Sequence, residues 1–248
     1  MKLYDLHTHS IFSDGDATLD FLVEKAQQKG YILGVSDHIY CGQIDTKEQI
    51  TQYLNALDQY DVFKGVEANI GTDFDIPDHL RTRLDYCIAS LHALPNREGQ
   101  IVSLTEYFGW RAGHRPHYQL NYKSSDAPFF LEKNLRLIED SFSRFPVDIL
   151  GHATVTPFYD DMEGTQLQSD FEDELLSLCK KYGVALEISG LWKQPSCRVI
   201  MKGKEKGIRF SFGSDCHRLS EVCDLSYVQR MIEETGLRQE EIFIPKKR

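Results

Sequence analysis

Seven strand-like runs punctuate the 248-residue chain, and six of them end on a histidine or acidic residue able to bind a metal. In order these are Tyr4 to His9, Ile32 to His38, Val62 to Glu67, Tyr86 to His92, Asp148 to His152 and Arg209 to His217. The remaining run, Val184 to Gly190, carries only Glu187, and six of the nine histidines fall in the six endings. In a parallel barrel every strand C-terminus opens onto one face, so ligands scattered along the sequence converge on a single site. A doubly wound open sheet would instead place its ligands at a switch point. The pattern therefore predicts an α/β chain folded as a parallel barrel of seven strands, one short of eight.

Helical patterns separate the runs. Leu19, Leu22, Val23 and Ala26 share one helical face, with Thr18 as N-cap and Gly30 as C-terminal stop. Ser169-Asp170-Phe171-Glu172 reads as a capping box opening a helix that ends near Gly183, and Pro195 to Gly207 and Ala127 to Arg144 read as further helices. The nearly continuous apolar character of Val184-Ala185-Leu186-Glu187-Ile188 predicts a parallel strand covered on both faces. No stretch has the character of a boundary linker, so residues 1–248 are expected to form a single barrel domain. Ala93 to Ala127 is longer than an ordinary βα connection. It holds Trp110, Arg111, His114, Arg115, His117, Tyr118, Tyr122 and Lys123, and is expected at the barrel mouth as a substrate loop.

A net charge of −10 repels polyanions, and the only basic run is Ile244 to Arg248, so nucleic acid is not the expected partner. Bound divalent cations would offset the negative potential at the mouth and admit a small phosphorylated substrate. The six cysteines form no C-x-x-C pair, and no run approaches the ~20 apolar residues of a membrane span. A cytoplasmic protein with reduced thiols and no membrane contact is expected.

His7-x-His9 places two imidazoles on one face of a strand, because side chains alternate with period two. The same alternation groups Gly213, Asp215 and His217, and also Gly34, Ser36 and His38, where small residues leave space below the ligand. Taken alone, a surface histidine pair is common and carries little information. The ordered set is more specific. His7-Thr8-His9, Ser13-Asp14-Gly15, Ser36-Asp37-His38, Gly65-Val66-Glu67, Leu91-His92, Gly151-His152 and Ser214-Asp215-Cys216-His217 follow one another as they do in the PHP (polymerase and histidinol phosphatase) family of metal-dependent phosphoesterases, which the chain resembles from residue 3 to 217.

The resemblance implies a distorted seven-stranded (β/α)7 TIM-like barrel holding two or three divalent ions (Zn, Mn or Fe). His7, His9, Glu67 and Asp215 would hold one, Glu67 would bridge to a second held by His92 and His152, and a third would lie between Asp14, His38 and His217, with Asp16 able to replace Asp14. Carboxylates offset the repulsion between cations while neutral imidazoles add affinity. Paired metals ~3.5 to 4 Å apart lower the pKa of a water to ≈ 7, making a hydroxide nucleophile for in-line attack on phosphorus. Glu67, Asp215 and His217 would act catalytically through that hydroxide. Asp5 and Asp37 either orient ligand rings or cap the neighbouring turns.

For phosphate contact the candidates are Lys193, Arg218, His117 and Arg115, with Arg115 and Arg111 weaker; His79 reads as a solvated helix terminus. The leading reading is a phosphomonoesterase acting on a small, histidinol-phosphate-like metabolite. Alternatives are a phosphodiesterase or nuclease, an amidohydrolase-type hydrolase, and a metal-binding barrel without catalysis. Amidohydrolases usually bridge their metals through a carboxylated lysine, and no strand ending here offers one; Glu67 stands at the bridging position instead.

Overall fold

The computed structural model describes residues 1–111 and 124–248. The chain runs β1 (Tyr4–Asp5), α1 (Leu19–Lys29), β2 (Ile32–Val35), α2 (Lys47–Leu57), β3 (Phe63–Asn69), α3 (Asp78–Arg81), β4 (Tyr86–Ser90), β5 (Ala93–Pro95), β6 (Ile101–Ser103) and α4 (Leu104–Arg111). It continues through α5 (Ala127–Arg144), β7 (Ile149–Gly151), α6 (Gln166–Tyr182), β8 (Ala185–Ser189), α7 (Cys197–Glu205), β9 (Phe210–Gly213) and α8 (Ser226–Thr235). Seven strands form one sheet in the order β1-β2-β3-β4-β7-β8-β9, and every neighbouring pair is parallel. The two edges meet: Leu6 N donates to Phe212 O at 2.9 Å, Asp215 N donates to His7 O at 2.7 Å, and Thr8 bridges Cys216. The sheet thus curls into the expected barrel, with all strand C-termini at one end.

The helix ends follow the sequence closely in most places. Thr18 accepts from Phe21 N, and Gly30 and Gly183 turn left-handed where a Cβ would be strained. The capping box expected at Ser169 is absent. Helix α6 begins a turn earlier, because Thr165 accepts from Gln168 N, and Glu172 is drawn into a buried network with Tyr159, Arg198 and Lys202 instead of its own helix end.

A large apolar core fills the space between sheet and helices, and a smaller one of Tyr4, Leu6, Phe63, Tyr86, Ile88, Ile149, Ala185 and Phe243 fills the barrel interior. The space left by Gly34 is occupied. At both Gly34 and Gly65 a Cβ would overlap the Tyr86 side chain. The Tyr86 hydroxyl donates to Leu6 O at 2.5 Å, so the ring lies across the interior as the floor of the mouth. The strands also stop short of the sequence expectation. Regular pairing ends at Asp5 and Gly213, and the histidines and Asp215 follow on irregular segments that turn inward.

After β4 the described part of the long connection forms an antiparallel hairpin of β5 and β6 and then α4. His114, Arg115, His117, Tyr118, Tyr122 and Lys123 lie outside the described residues. All six cysteines are free, and among the described residues no helix is long and apolar enough to cross a membrane.

Replacing Gly65 by Ala should force the Tyr86 ring out of its plane and cost roughly 1–3 kcal/mol, the usual penalty of overpacking. Urea denaturation should show a lower midpoint with an unchanged slope.

Candidate metal centre

Glu67, only 1% exposed, directs its two carboxylate oxygens at different histidines. Oε2 lies 3.0 Å from His38 Nδ1, 3.2 Å from His7 Nε2 and 3.4 Å from His9 Nε2. Oε1 lies 3.4 Å from His92 Nε2 and 3.5 Å from His152 Nε2. Asp215 Oδ1 stands 3.3 Å from His9 Nε2 and 3.5 Å from His7 Nε2. Asp14 reaches His217 Nε2 at 3.4 Å, His38 Nε2 at 3.7 Å and His9 Nδ1 at 3.8 Å.

Three groups have ligand atoms all within 4.8 Å of one another: His7, His9 and Asp215; His38, Glu67 and His92; and His9, Asp14, His38 and His217. Eight of the nine residues expected as ligands fall in these groups, and the ninth, His152, reaches them through Glu67 Oε1 at 3.5 Å. The grouping differs from expectation: His9 also joins the Asp14 group, Glu67 groups with His38 and His92 rather than with His7, His9 and Asp215, and His152 stands in no group. His38 does not belong to the Asp14 group alone; its two ring nitrogens face Glu67 on one side and Asp14 on the other. Asp16 joins no group and pairs with Arg218 at 3.2 Å.

The donors fit divalent cations. His7 Nε2, both nitrogens of His9, His38 Nδ1 and both oxygens of Glu67 are buried without a hydrogen-bond partner. Each such atom costs about 1–3 kcal/mol if left unmatched, so their concentration in one place is expensive unless a cation matches them. Burial works against charge on Glu67, yet His7, His38 and His92 outweigh it and hold the carboxyl well below its ordinary value. Burial also opposes charge on His7, and the carboxylates of Glu187, Glu67 and Asp215 raise it. At His9 burial dominates and pushes the imidazole down to about 4. Two candidate ligands sit on left-handed backbone, Asp215 with φ 53° and His152 with φ 26°. Non-glycine residues there store about 1–3 kcal/mol each and persist only where the surroundings hold them.

The surrounding hydrogen bonds decide between the two roles open to Asp5 and Asp37. Asp5 accepts from Ser214 N at 2.7 Å, and Asp37 accepts from Ser10 and Ser13 through both backbone and hydroxyl. Neither orients a histidine ring; they take the turn-capping role. Ring nitrogens are met instead by Glu187 Oε1 at His7 Nδ1 (2.6 Å), Asn69 Oδ1 at His92 Nδ1 (2.6 Å) and the Asp215 carbonyl at His217 Nδ1 (3.1 Å). Trp192 donates its indole N–H to Asp215 Oδ2 at 2.8 Å and lies 5.7 Å from the His152 ring. The sequence reading assigned none of these residues to a histidine ring, although two leave a signal in the sequence. Glu187 is a charge within an apolar strand, and Asn69 lies two residues beyond Glu67 on the same face. The reach of Trp192 to Asp215 depends on how the β8 loop folds back.

Of the cationic candidates, Lys193 is exposed and Arg218 is 70% exposed and paired with Asp16. Arg111 is held by Asp161 through two hydrogen bonds of 2.6 and 3.0 Å. His79 is exposed on α3.

Residues 5–190 match the PHP domain family. The chain belongs to that family. Membership places it among hydrolases acting on phosphate esters. It is 28% identical over 259 residues to a probable phosphatase of Clostridium acetobutylicum, covering 96% of this chain and 88% of the relative. It is 23% identical over 237 residues to the DNA polymerase/3'-5' exonuclease PolX of Bacillus subtilis, of which the match spans only 35%. The fold is shared with the histidinol phosphate phosphatase HisK of Lactococcus lactis, solved with zinc, L-histidinol and phosphate. That superposition has a TM-score of 0.61 at 17% identity and covers 96% of this chain and 95% of the other.

Burial lowers the pKa of His217, but the Asp14 hydrogen bond and the charges of Asp215 and Asp14 outweigh it and raise it from 6.5 to about 9. Burial raises Asp14, and His217, His38 and His9 outweigh it and hold the carboxyl well below 3.8. The His217 contribution to stability is complete below pH 6.5 and lost as pH rises to about 9; the Asp14 contribution is present above pH 3.8 and lost below it. In chelated protein, Asp14→Asn should lower the melting temperature most near pH 6. The gap should close by about pH 10, once His217 is neutral, as thermal scans across that range would show.

Proposed function

We propose that the chain hydrolyses a phosphomonoester of a small metabolite, histidinol-phosphate-like in size and charge, with two or three divalent ions held at the barrel mouth. The observation that carries this reading is Glu67, whose two oxygens face separate histidine sets as a bridging carboxylate would. His7, His9 and Asp215 with Glu67 Oε2 would hold one ion, and Glu67 Oε1 with His92 and His152 a second. His38 stands between that pair and a third position shared with Asp14 and His217. Mixed nitrogen and oxygen donors suit Zn, Mn or Fe. When bound, such ions supply Lewis acidity toward phosphoryl oxygens and lower the pKa of a water to about 7.

The chain's own residues do the remainder. Glu67, Asp215 and His217 carry the catalytic assignment because they combine ligand geometry with a position at the open end of the barrel. Tyr86 and the interior apolar core close the site from below, so substrate enters only from the mouth. Lys193 is the exposed cation on the β8 loop and, with Arg115 and His117, the phosphate-contact candidate. Arg218 fills that role only by exchanging its Asp16 partner.

The net charge of −10 favours a small substrate over an oligonucleotide. Purified protein should contain at least two divalent ions per chain by elemental analysis and release inorganic phosphate from small phosphomonoesters. His7→Ala should lower both metal content and kcat/KM, the latter by roughly 10²-fold or more, matching the several kcal/mol a metal contributes. A chain without bound metal that releases no phosphate overturns the reading. Faster cleavage of oligonucleotides than of monoesters redirects it to a phosphodiesterase.

A further inference from the structure

Strand β8 is the one barrel strand that ends without a candidate ligand, yet it carries a fully buried carboxylate, Glu187. A buried carboxylate is costly unless its oxygens accept hydrogen bonds. Both do. Oε1 lies 2.6 Å from His7 Nδ1, and Oε2 accepts from the backbone N–H of His152 at 2.7 Å. Room for this arrangement comes from β9, because a Cβ on Gly213 would overlap both Glu187 Oε1 and His7 Cβ.

The two groups that Glu187 holds lie on opposite sides of Glu67. His7 turns Nε2 toward Glu67 Oε2 (3.2 Å) and Asp215 Oδ1 (3.5 Å), while His152 turns Nε2 toward Glu67 Oε1 (3.5 Å). His152 also has a left-handed backbone, which its hydrogen bond to Glu187 helps to hold. Glu187 is absent from every ligand group.

We propose that Glu187 is a positioning residue that fixes the proton of His7 on Nδ1, leaving Nε2 free for metal, and at the same time anchors His152, so that one buried carboxylate couples the two sides of the metal centre. The inference rests on the metal-dependent reading above. Loss of such a partner to a ligating histidine typically weakens metal binding about 10- to 100-fold.

Glu187→Gln is nearly isosteric but offers one acceptor oxygen where two N–H groups require one each. If its amide faces His7, the imidazole must carry its proton on Nε2 and cannot ligate; if it faces His152, two N–H groups confront each other. Asn69→Ala serves as the comparison, since Asn69 meets only His92. Chelated wild type, Glu187→Gln and Asn69→Ala would be titrated with Zn²⁺ and with Mn²⁺ against a competing indicator, with melting temperatures of the metal-free proteins measured alongside.

The expected result is a loss of about 10- to 100-fold in affinity for at least one bridged ion in Glu187→Gln, for both in a parallel Glu187→Ala titration, where neither His7 nor His152 keeps an acceptor, and for one in Asn69→Ala, with each metal-free variant still melting cooperatively. Wild-type affinity in Glu187→Gln, or weakening of a single ion in Glu187→Ala, overturns the proposal. Failure of wild type to bind either metal overturns the metal-dependent reading itself. Should Glu187→Gln not fold, ¹⁵N-histidine spectra of zinc-loaded wild type decide the matter. A His7 proton on Nδ1 supports the proposal, and one on Nε2 overturns it.

Discussion

Five imidazole nitrogens surround the two oxygens of one buried carboxylate, and the rest of the mouth is arranged around that contact. Glu67 comes from β3, near the middle of the sheet, while its neighbours come from β1, β2, β4 and β7 by way of the segments that follow them. A carboxylate so buried stays ionised only because positive or polarisable groups face it from several directions. Closing the barrel supplies those directions. The hydrogen bonds from Leu6 and Asp215 across the β1–β9 seam bring His7, His9 and Asp215 onto one side, and the β4–β7 pairing brings His92 and His152 onto the other.

Below this layer the interior is filled rather than hollow. Tyr86 lies where Gly34 and Gly65 have no side chains, and its hydroxyl is tied to the β1 backbone. Close packing makes such a floor stiff, which matters because ligand atoms must be held to a few tenths of an ångström. Above it, the segments between strand end and ligand bend sharply, as the left-handed backbone of His152 and Asp215 shows. Glu187 and Trp192 hold those bends, and both come from β8 and the loop that follows it.

The barrel was legible because ligand-terminated strands in a parallel barrel leave little geometric freedom, and the nine converging residues were legible through the ordered motifs of the family resemblance. Chain reversals were legible where glycine supplies a positive φ, as at Gly30 and Gly183. The start of α6 was not, since Thr165 and Ser169 are both acceptable caps and the choice turned on Glu172 being taken into a tertiary network. Asp5 and Asp37 adjoin ligands in sequence, which suggested two roles of equal merit. Only the placement of Ser214, Ser10 and Ser13 decided between them.

By itself the sequence determined which segments reach the mouth, because the common direction of parallel strands brings the residues that follow their C-terminal ends to one face. It could not determine which ligand faces which, since that depends on distances between residues far apart in the chain. His38 facing both Glu67 and Asp14 is one such outcome. Glu187 is the clearest. Along the chain it marks the strand that lacks a ligand; in the barrel it lies against the first strand and the one before it, supporting His7 and His152 together. That role exists only once the seam closes, because a hydrogen bond between residues 180 positions apart is made by the fold and by nothing local.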